Sequence, residues 1–132
     1  MDIIASATAE IALWEVFATS RGANATVFLS TVIAVWIAAR FSSVMMEKGA
    51  NTLAKIIGTA FAVSVFLLGL NLGGLVSGTY EGHSAALAAL DAANGSLDIG
   101  AGSKQFIENM ANGGNMMGTI GAWMFYVSGL LI

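Results

Sequence analysis

The spacing of charged residues divides the chain into three long uncharged stretches. Eighteen uncharged residues separate Arg21 from Arg40, twenty-five separate Lys55 from Glu81, and twenty-four follow Glu108. A helix needs roughly 17–25 residues to cross about 30 Å of hydrocarbon, because each residue advances the axis by about 1.5 Å. All three stretches reach this length. The pattern therefore predicts an all-α integral membrane protein with three transmembrane helices.

Composition favours lipid as the solvent for these helices. Of the 132 residues, 57% are hydrophobic and 10% are charged, whereas a soluble domain carries about 25% charged residues. Three apolar helices in so short a chain would find almost no polar covering in water. The net charge is −3 and the five basic residues do not cluster, which argues against a nucleic-acid binder, because such proteins need a basic patch.

The uncharged stretches set the predicted limits of the elements within one membrane domain, residues 1–132. A glycine at position 22 is expected to separate an interfacial or docking N-terminal helix from the first span. In the alternative interpretation the N-terminal segment is a fourth span, in which Glu10 would need a partner. The predicted limits are 1–21 for the N-terminal helix, 22–46, 56–80 and 115–132 for the three spans, and 81–114 for an extramembrane segment between the last two spans.

The segment 81–114 is predicted to contain two short helices. Ser84 and Ser103 are candidate N-caps, because a serine hydroxyl accepts hydrogen bonds from the first free N–H groups of a helix. Asn-Gly sequences after each helix are typical terminators. The predicted helices are 85–93, ended by Asn94-Gly95, and 104–111, ended by Asn112-Gly113-Gly114.

The first of these short helices carries an apolar stripe at three- and four-residue spacing. The stripe consists of Ala86, Leu87, Leu90 and Ala93. It is expected either to pack on the ends of the chain's own transmembrane helices or to form an interface with a partner.

The distribution of basic residues predicts the orientation in the membrane. The loop after the first span contains Arg40, Lys48 and Lys55 against one acid, Glu47. Loops rich in Lys and Arg stay in the cytoplasm. The N-terminus and segment 81–114 are therefore expected outside, and the C-terminus inside, a bacterial inner membrane.

Small residues recur every four positions within the predicted spans. This spacing lets two helix backbones approach closely, and in lipid such packing takes the place of the hydrophobic driving force. The small residues are expected either to pack the chain's own helices together or to pack against other chains. The candidate helix-packing residues are Gly69, Gly73, Ser77, Gly74 and Gly78 in the second span, Ser30, Ala34 and Ala38 in the first, and Gly118 and Ala122 in the third.

Two polar positions are further candidates. Asn71 is the one carboxamide of the second span, and a polar side chain in hydrocarbon requires a hydrogen-bonding partner on a neighbouring helix or in a pathway. Glu81 and His83 are weak candidates for a divalent metal site, because the chain contains no second histidine and no cysteine to complete a ligand set. A surface histidine near the headgroups is the simpler interpretation.

The sequence offers little chemistry for catalysis. It contains no G-x-S-x-G nucleophile elbow, phosphate-binding loop or dinucleotide fingerprint. We therefore expect a non-catalytic accessory or structural subunit of a larger membrane complex, without a cofactor, in contact with the bilayer and with other transmembrane subunits or copies of itself. The alternative is a homo-oligomeric channel or transporter with Asn71 near the pathway. A third hypothesis is an enzyme or metal site built on Glu81 and His83.

Overall fold

The computed structural model describes residues 2–114 and 116–131, and every regular element in these ranges is a helix. This confirms the all-helical fold class. The four helices are α1 (Ile3–Lys48), α2 (Thr52–Ala93), α3 (Ala101–Ala111) and α4 (Met116–Leu131).

Helices α1 and α2 are much longer than the spans predicted from sequence. They contain 46 and 42 residues, which correspond to axes of about 69 and 63 Å at about 1.5 Å per residue. Each is about twice the thickness of a bilayer's hydrocarbon layer. A large part of each helix must therefore lie outside the hydrocarbon if the helix crosses a membrane.

The predicted helix break at Gly22 is wrong, because α1 continues through this residue. A glycine inside a helix costs only about 1 kcal/mol relative to alanine. Buried side chains on both sides of it, Phe17 and Ala38, hold α1 in place by packing. The separate helix 85–93 is likewise wrong: Ser84 lies within α2, where no proline interrupts the backbone hydrogen bonds.

The helix ends follow the predicted turn residues more closely. Helix α2 ends at Ala93, and Gly95 adopts a φ of 67°, a left-handed conformation that costs glycine little. Helix α3 ends at Ala111 before Asn112. Its start differs from prediction, because Gly100 occupies the N-cap position and Ser103 lies within the first turn.

The helices pack into two compact units. The first unit comprises residues 1–23 and 75–116, and the second comprises residues 24–74 and 117–132. In the first unit Leu87, Leu90 and Ile99 form a buried core. The partly buried residues packed on this core come from α1 and α3; they are Ala9, Leu13, Trp14, Phe106 and Ile107. Leu87 and Leu90 of the stripe thus pack on the N-terminal part of α1 and on α3 of the same chain, whereas Ala93 is exposed.

The second unit packs parts of α1, α2 and α4 together. Its buried hydrophobic residues are Ala38, Val65, Leu72 and Tyr126. Contacts between aromatic rings join the helices at Phe28 with Phe125 (6.3 Å between centroids) and at Phe41 with Phe61 (6.0 Å).

The most apolar parts of α1 and α2 are exposed. Only 6% of the most hydropathic 18-residue window of α1 and 11% of that of α2 is buried. A core helix of a soluble protein would have most of this window buried. Both helices are long and apolar enough to cross a membrane. Helix α4 is apolar over Gly118–Leu131 but shorter, so a third span remains a prediction.

Candidate functional site

An exposed face of α2 in the second unit contains Asn71, the carboxamide of the predicted second span. Asn71 is exposed, whereas its neighbour Leu72 is buried. At about 100° per residue, the residues within about 60° of Asn71 around the helix are also exposed. Between positions 60 and 74 we call this face the Asn71 surface; it consists of Ala60, Ser64, Leu67, Leu68, Asn71 and Gly74.

Besides Asn71, the Asn71 surface contains one residue with a hydrogen-bonding side chain, Ser64. The hydroxyl of Ser64 donates to the carbonyl of Ala60 one turn earlier, at 2.8 Å, as serine commonly does within helices. A Cβ added at Gly74 would meet no atom within 4 Å. The surface therefore combines room for close approach of another helix with an exposed carboxamide that a neighbouring helix can hydrogen-bond.

The other small residues of α2 divide between buried and open positions. Gly69 is buried, and a Cβ there would collide with the ring of Tyr126. This glycine therefore serves packing between α2 and α4. Positions Gly73 and Gly78 are open, since a Cβ added at either would meet no atom within 4 Å, and the hydroxyl of Ser77 donates to Glu81 Oε1 at 3.0 Å.

The candidate packing residues of α1 and α4 differ from one another in burial. Ala38 is buried and Ala34 half-buried, whereas Ser30 is exposed and donates to the carbonyl of Thr26 at 3.1 Å. In α4 Gly118 is exposed and Ala122 half-buried.

In the first unit, the carboxylate of Glu10 holds the start of α3. The N–H of Gly100, the N-cap residue, donates to both carboxylate oxygens at 3.1 Å, and the hydroxyl of Ser103 donates to Oε1 at 2.5 Å. Free N–H groups and the positive end of the dipole at a helix N-terminus both favour an anion there. Glu10 thus acts as a cap supplied by another helix.

Ser103 also connects this cap to an aromatic side chain. Its hydroxyl oxygen accepts a hydrogen bond from Trp14 Nε1 at 2.9 Å, and Ser103 is 2% exposed. The buried hydroxyl therefore both donates and accepts a hydrogen bond, and both of its partners are half-buried. A second buried contact lies nearby in sequence, where Asn94 Nδ2 donates to Ser6 Oγ at 2.6 Å.

His83 lies in an aromatic cluster of the first unit. Its ring stacks on Phe17 at 4.2 Å between centroids and meets Trp14 and Phe106 edge-on at 4.6 and 5.1 Å. Tyr80 contacts Phe17 edge-on at 5.1 Å. Burial lowers the pKa of His83, because the charged imidazolium loses hydration there. The expected surface histidine is therefore wrong, since the side chain is 7% exposed.

The surroundings of His83 do not form a metal-binding set. No group of three or more His, Cys, Asp or Glu side chains comes together among the described residues. Glu81 is exposed and accepts a hydrogen bond from Ser77, while the buried Nε2 atom of His83 has no hydrogen-bonding partner in the part of the chain that the structure describes. The neighbours of His83 are aromatic rings, so the arrangement packs the imidazole as an apolar group.

The sequence marks Ser103 as a candidate N-cap and Glu10 as a residue that would need a partner in a span, but it does not predict that these two side chains meet. Glu10 interrupts an otherwise apolar helix face, and this interruption was the only signal of a specific role. Its partners lie 90 and 93 residues away, a separation that periodicity within one helix cannot reveal.

Comparison with known proteins adds no relative. The chain matches no protein-family model, no curated protein and no solved structure.

Proposed function

We propose that this chain is a non-catalytic accessory subunit of a multi-subunit membrane complex. The observation that carries the proposal is the exposure of the apolar helix windows, 6% and 11% buried in α1 and α2. Apolar surface of this extent is unfavourable in water and suits contact with lipid and with other helices.

The proposed topology places the second unit in the bilayer. Its segments of α1 and α2, residues 24–48 and 52–74, have lengths of about 37 and 34 Å, close to the hydrocarbon thickness of about 30 Å. Helix α4 would be the third span. The N-terminus and residues 81–114 would lie outside, and the loop between α1 and α2 would face the cytoplasm of a bacterial cell.

The Asn71 surface is the proposed contact with a partner subunit. An asparagine facing acyl chains gains a hydrogen bond when a second helix packs over it, worth about 0.6–2 kcal/mol. Gly74 lies one turn away and allows close backbone approach. The absence of catalytic motifs in the sequence supports an architectural role over an enzymatic one.

Native mass spectrometry of the detergent-extracted particle tests this proposal. We expect the chain together with other transmembrane subunits, and we expect Asn71→Leu and Gly74→Ile to reduce this association. Gly73→Ile is the matched control, because position 73 is equally open but lies about 160° around the helix from Asn71. A monodisperse monomer, or equal loss in all three variants, would contradict the proposal.

A homo-oligomeric channel or transporter is the second candidate function. The position of Asn71 on an exposed face favours it, because identical asparagines can hydrogen-bond across a symmetry axis. The same mass measurement would then show a ring of identical chains. Flux in reconstituted vesicles should fall on Asn71→Leu, and unchanged flux would exclude Asn71 from the pathway.

A further inference from the structure

A groove lies where α1 and α2 of the second unit meet at their connecting turn. It has a volume of 370 Å³. The turn reverses through Gly49, whose φ is 63°. The groove is lined by Ser42, Met45, Met46, Gly49, Lys55 and Thr59.

The groove combines a cation with hydroxyl groups. Lys55 and Thr59 are four residues apart on α2 and therefore share one face. Lys55 forms no ion pair among the described residues. The nearby acid, Glu47, accepts a hydrogen bond from Ser43 at 3.5 Å and does not line the groove. An ammonium and a hydroxyl at this spacing suit a phosphate group.

The rest of the groove wall is apolar. The side chain of Met45 lies against Gly58, where a Cβ would collide with its methyl group, so the glycine makes room for this methionine. Met46 is 82% exposed. Thioether side chains adapt readily to flexible apolar ligands. A small hydrated anion has no apolar part that could contact them.

We infer that this groove binds the headgroup of an anionic phospholipid, with Lys55 on the phosphate and the two methionines on the first methylenes of an acyl chain. Charge complementarity supports this occupant, because Lys55 gives the groove a positive charge and Glu47, the one acid of the turn region, does not line it. Basic residues at a cytoplasmic interface attract anionic lipids. The inference rests on the proposed topology, which places this turn at the cytoplasmic headgroup layer.

Lipid retention measured by native mass spectrometry tests the inference. The purified chain in mild detergent is mixed with phosphatidylglycerol or with phosphatidylcholine of the same acyl chains. We expect preferential retention of phosphatidylglycerol by about fivefold, the effect of one lysine at a membrane surface. Lys55→Gln should abolish this preference.

Lys48→Gln is the matched control, because Lys48 belongs to the same turn region but does not line the groove. It should keep the preference. Equal loss of the preference for phosphatidylglycerol in both variants would indicate attraction by the general positive charge of the turn region and would overturn the inference. Displacement of the lipid by millimolar inorganic phosphate would also overturn it, since the groove would then hold a free anion. A chain that stays soluble without detergent would contradict the membrane topology itself, which is a distinguishable result.

Discussion

Glu10 on α1 accepts a hydrogen bond from the hydroxyl of Ser103 on α3, across 93 residues of sequence. The same carboxylate accepts the N–H of Gly100. Together these contacts fix where α3 begins and against which face of α1 it lies.

Removal of the Glu10 carboxylate should loosen α3. Glu10→Ala leaves the Gly100 N–H and the Ser103 hydroxyl without their acceptor, and we expect a loss of about 1–3 kcal/mol in local stability. Hydrogen exchange of the α3 amides measures this loss. Glu15→Ala is the control, because Glu15 is an exposed acid on the same helix. Equally accelerated hydrogen exchange of the α3 amides in both variants would show that the Glu10 carboxylate does not specifically stabilise α3.

Acidic pH should destabilise the first unit through His83. Burial lowers the pKa of His83 below 6.5 in the folded chain, so below pH 6.5 the unfolded chain takes up a proton before the folded chain does. The contribution of neutral His83 to the free energy of unfolding is therefore fully present above about pH 6.5. It decreases as the pH falls toward the pKa of His83 in the folded chain. Unfolding in detergent between about pH 5 and 8 measures this dependence.

His83→Leu provides the control for the pH dependence. The sequence contains one histidine, so the variant has no other imidazole that titrates in this range. Its stability should vary less between about pH 5.5 and 7 than that of the parent chain. An identical pH profile for the two proteins would assign the effect to the carboxylates instead.

Two glycines on α2 should respond in opposite ways to the same substitution. Gly69→Ala should destabilise the second unit, because the new Cβ would collide with Tyr126. Gly73→Ala should be neutral or stabilise α2 by up to about 1 kcal/mol, because position 73 is open and alanine favours the helix. Thermal unfolding of both variants in detergent tests the contrast, and similar effects would contradict the packing of Tyr126 on Gly69.

Truncation of Leu87 should be the most damaging change in the first unit. Leu87 is fully buried, and replacing a buried leucine with alanine costs about 2–5 kcal/mol. Leu75→Ala is the matched control in the same unit and helix, because Leu75 is 61% exposed. Chemical unfolding in detergent should separate the two variants by more than about 2 kcal/mol; a smaller separation would place Leu87 outside the stabilising core.

Sequence reasoning predicted the helical class and the ends of helices better than their continuity. Asn94-Gly95 and Asn112 mark real helix ends, because an asparagine or glycine after the last turn readily leaves the helical conformation. Gly22 and Ser84 do not mark ends. Their local preferences are worth about 1 kcal/mol, and packing on either side of them outweighs that amount.

The residues of the candidate site that depend on local sequence pattern could be predicted, and those that depend on distant contacts could not. Asn71 stands out in the sequence as a polar residue among apolar neighbours, but its exposure on α2 is visible only in the structure. The interior position of Gly69 depends on Tyr126, which lies far along the chain on α4, and the burial of His83 depends on rings from other helices. Contacts between distant segments of this kind require the tertiary structure.

The pairing of Glu10 with Ser103 also has a consequence for biosynthesis. Glu10 leaves the ribosome 93 residues before its partner, a delay of about 5 to 20 s at elongation rates of about 5–20 residues per second. During that interval the apolar segment around Glu10 lacks the α3 residues that later pack on it. Chaperones or the membrane insertion machinery therefore have a defined period in which to bind it.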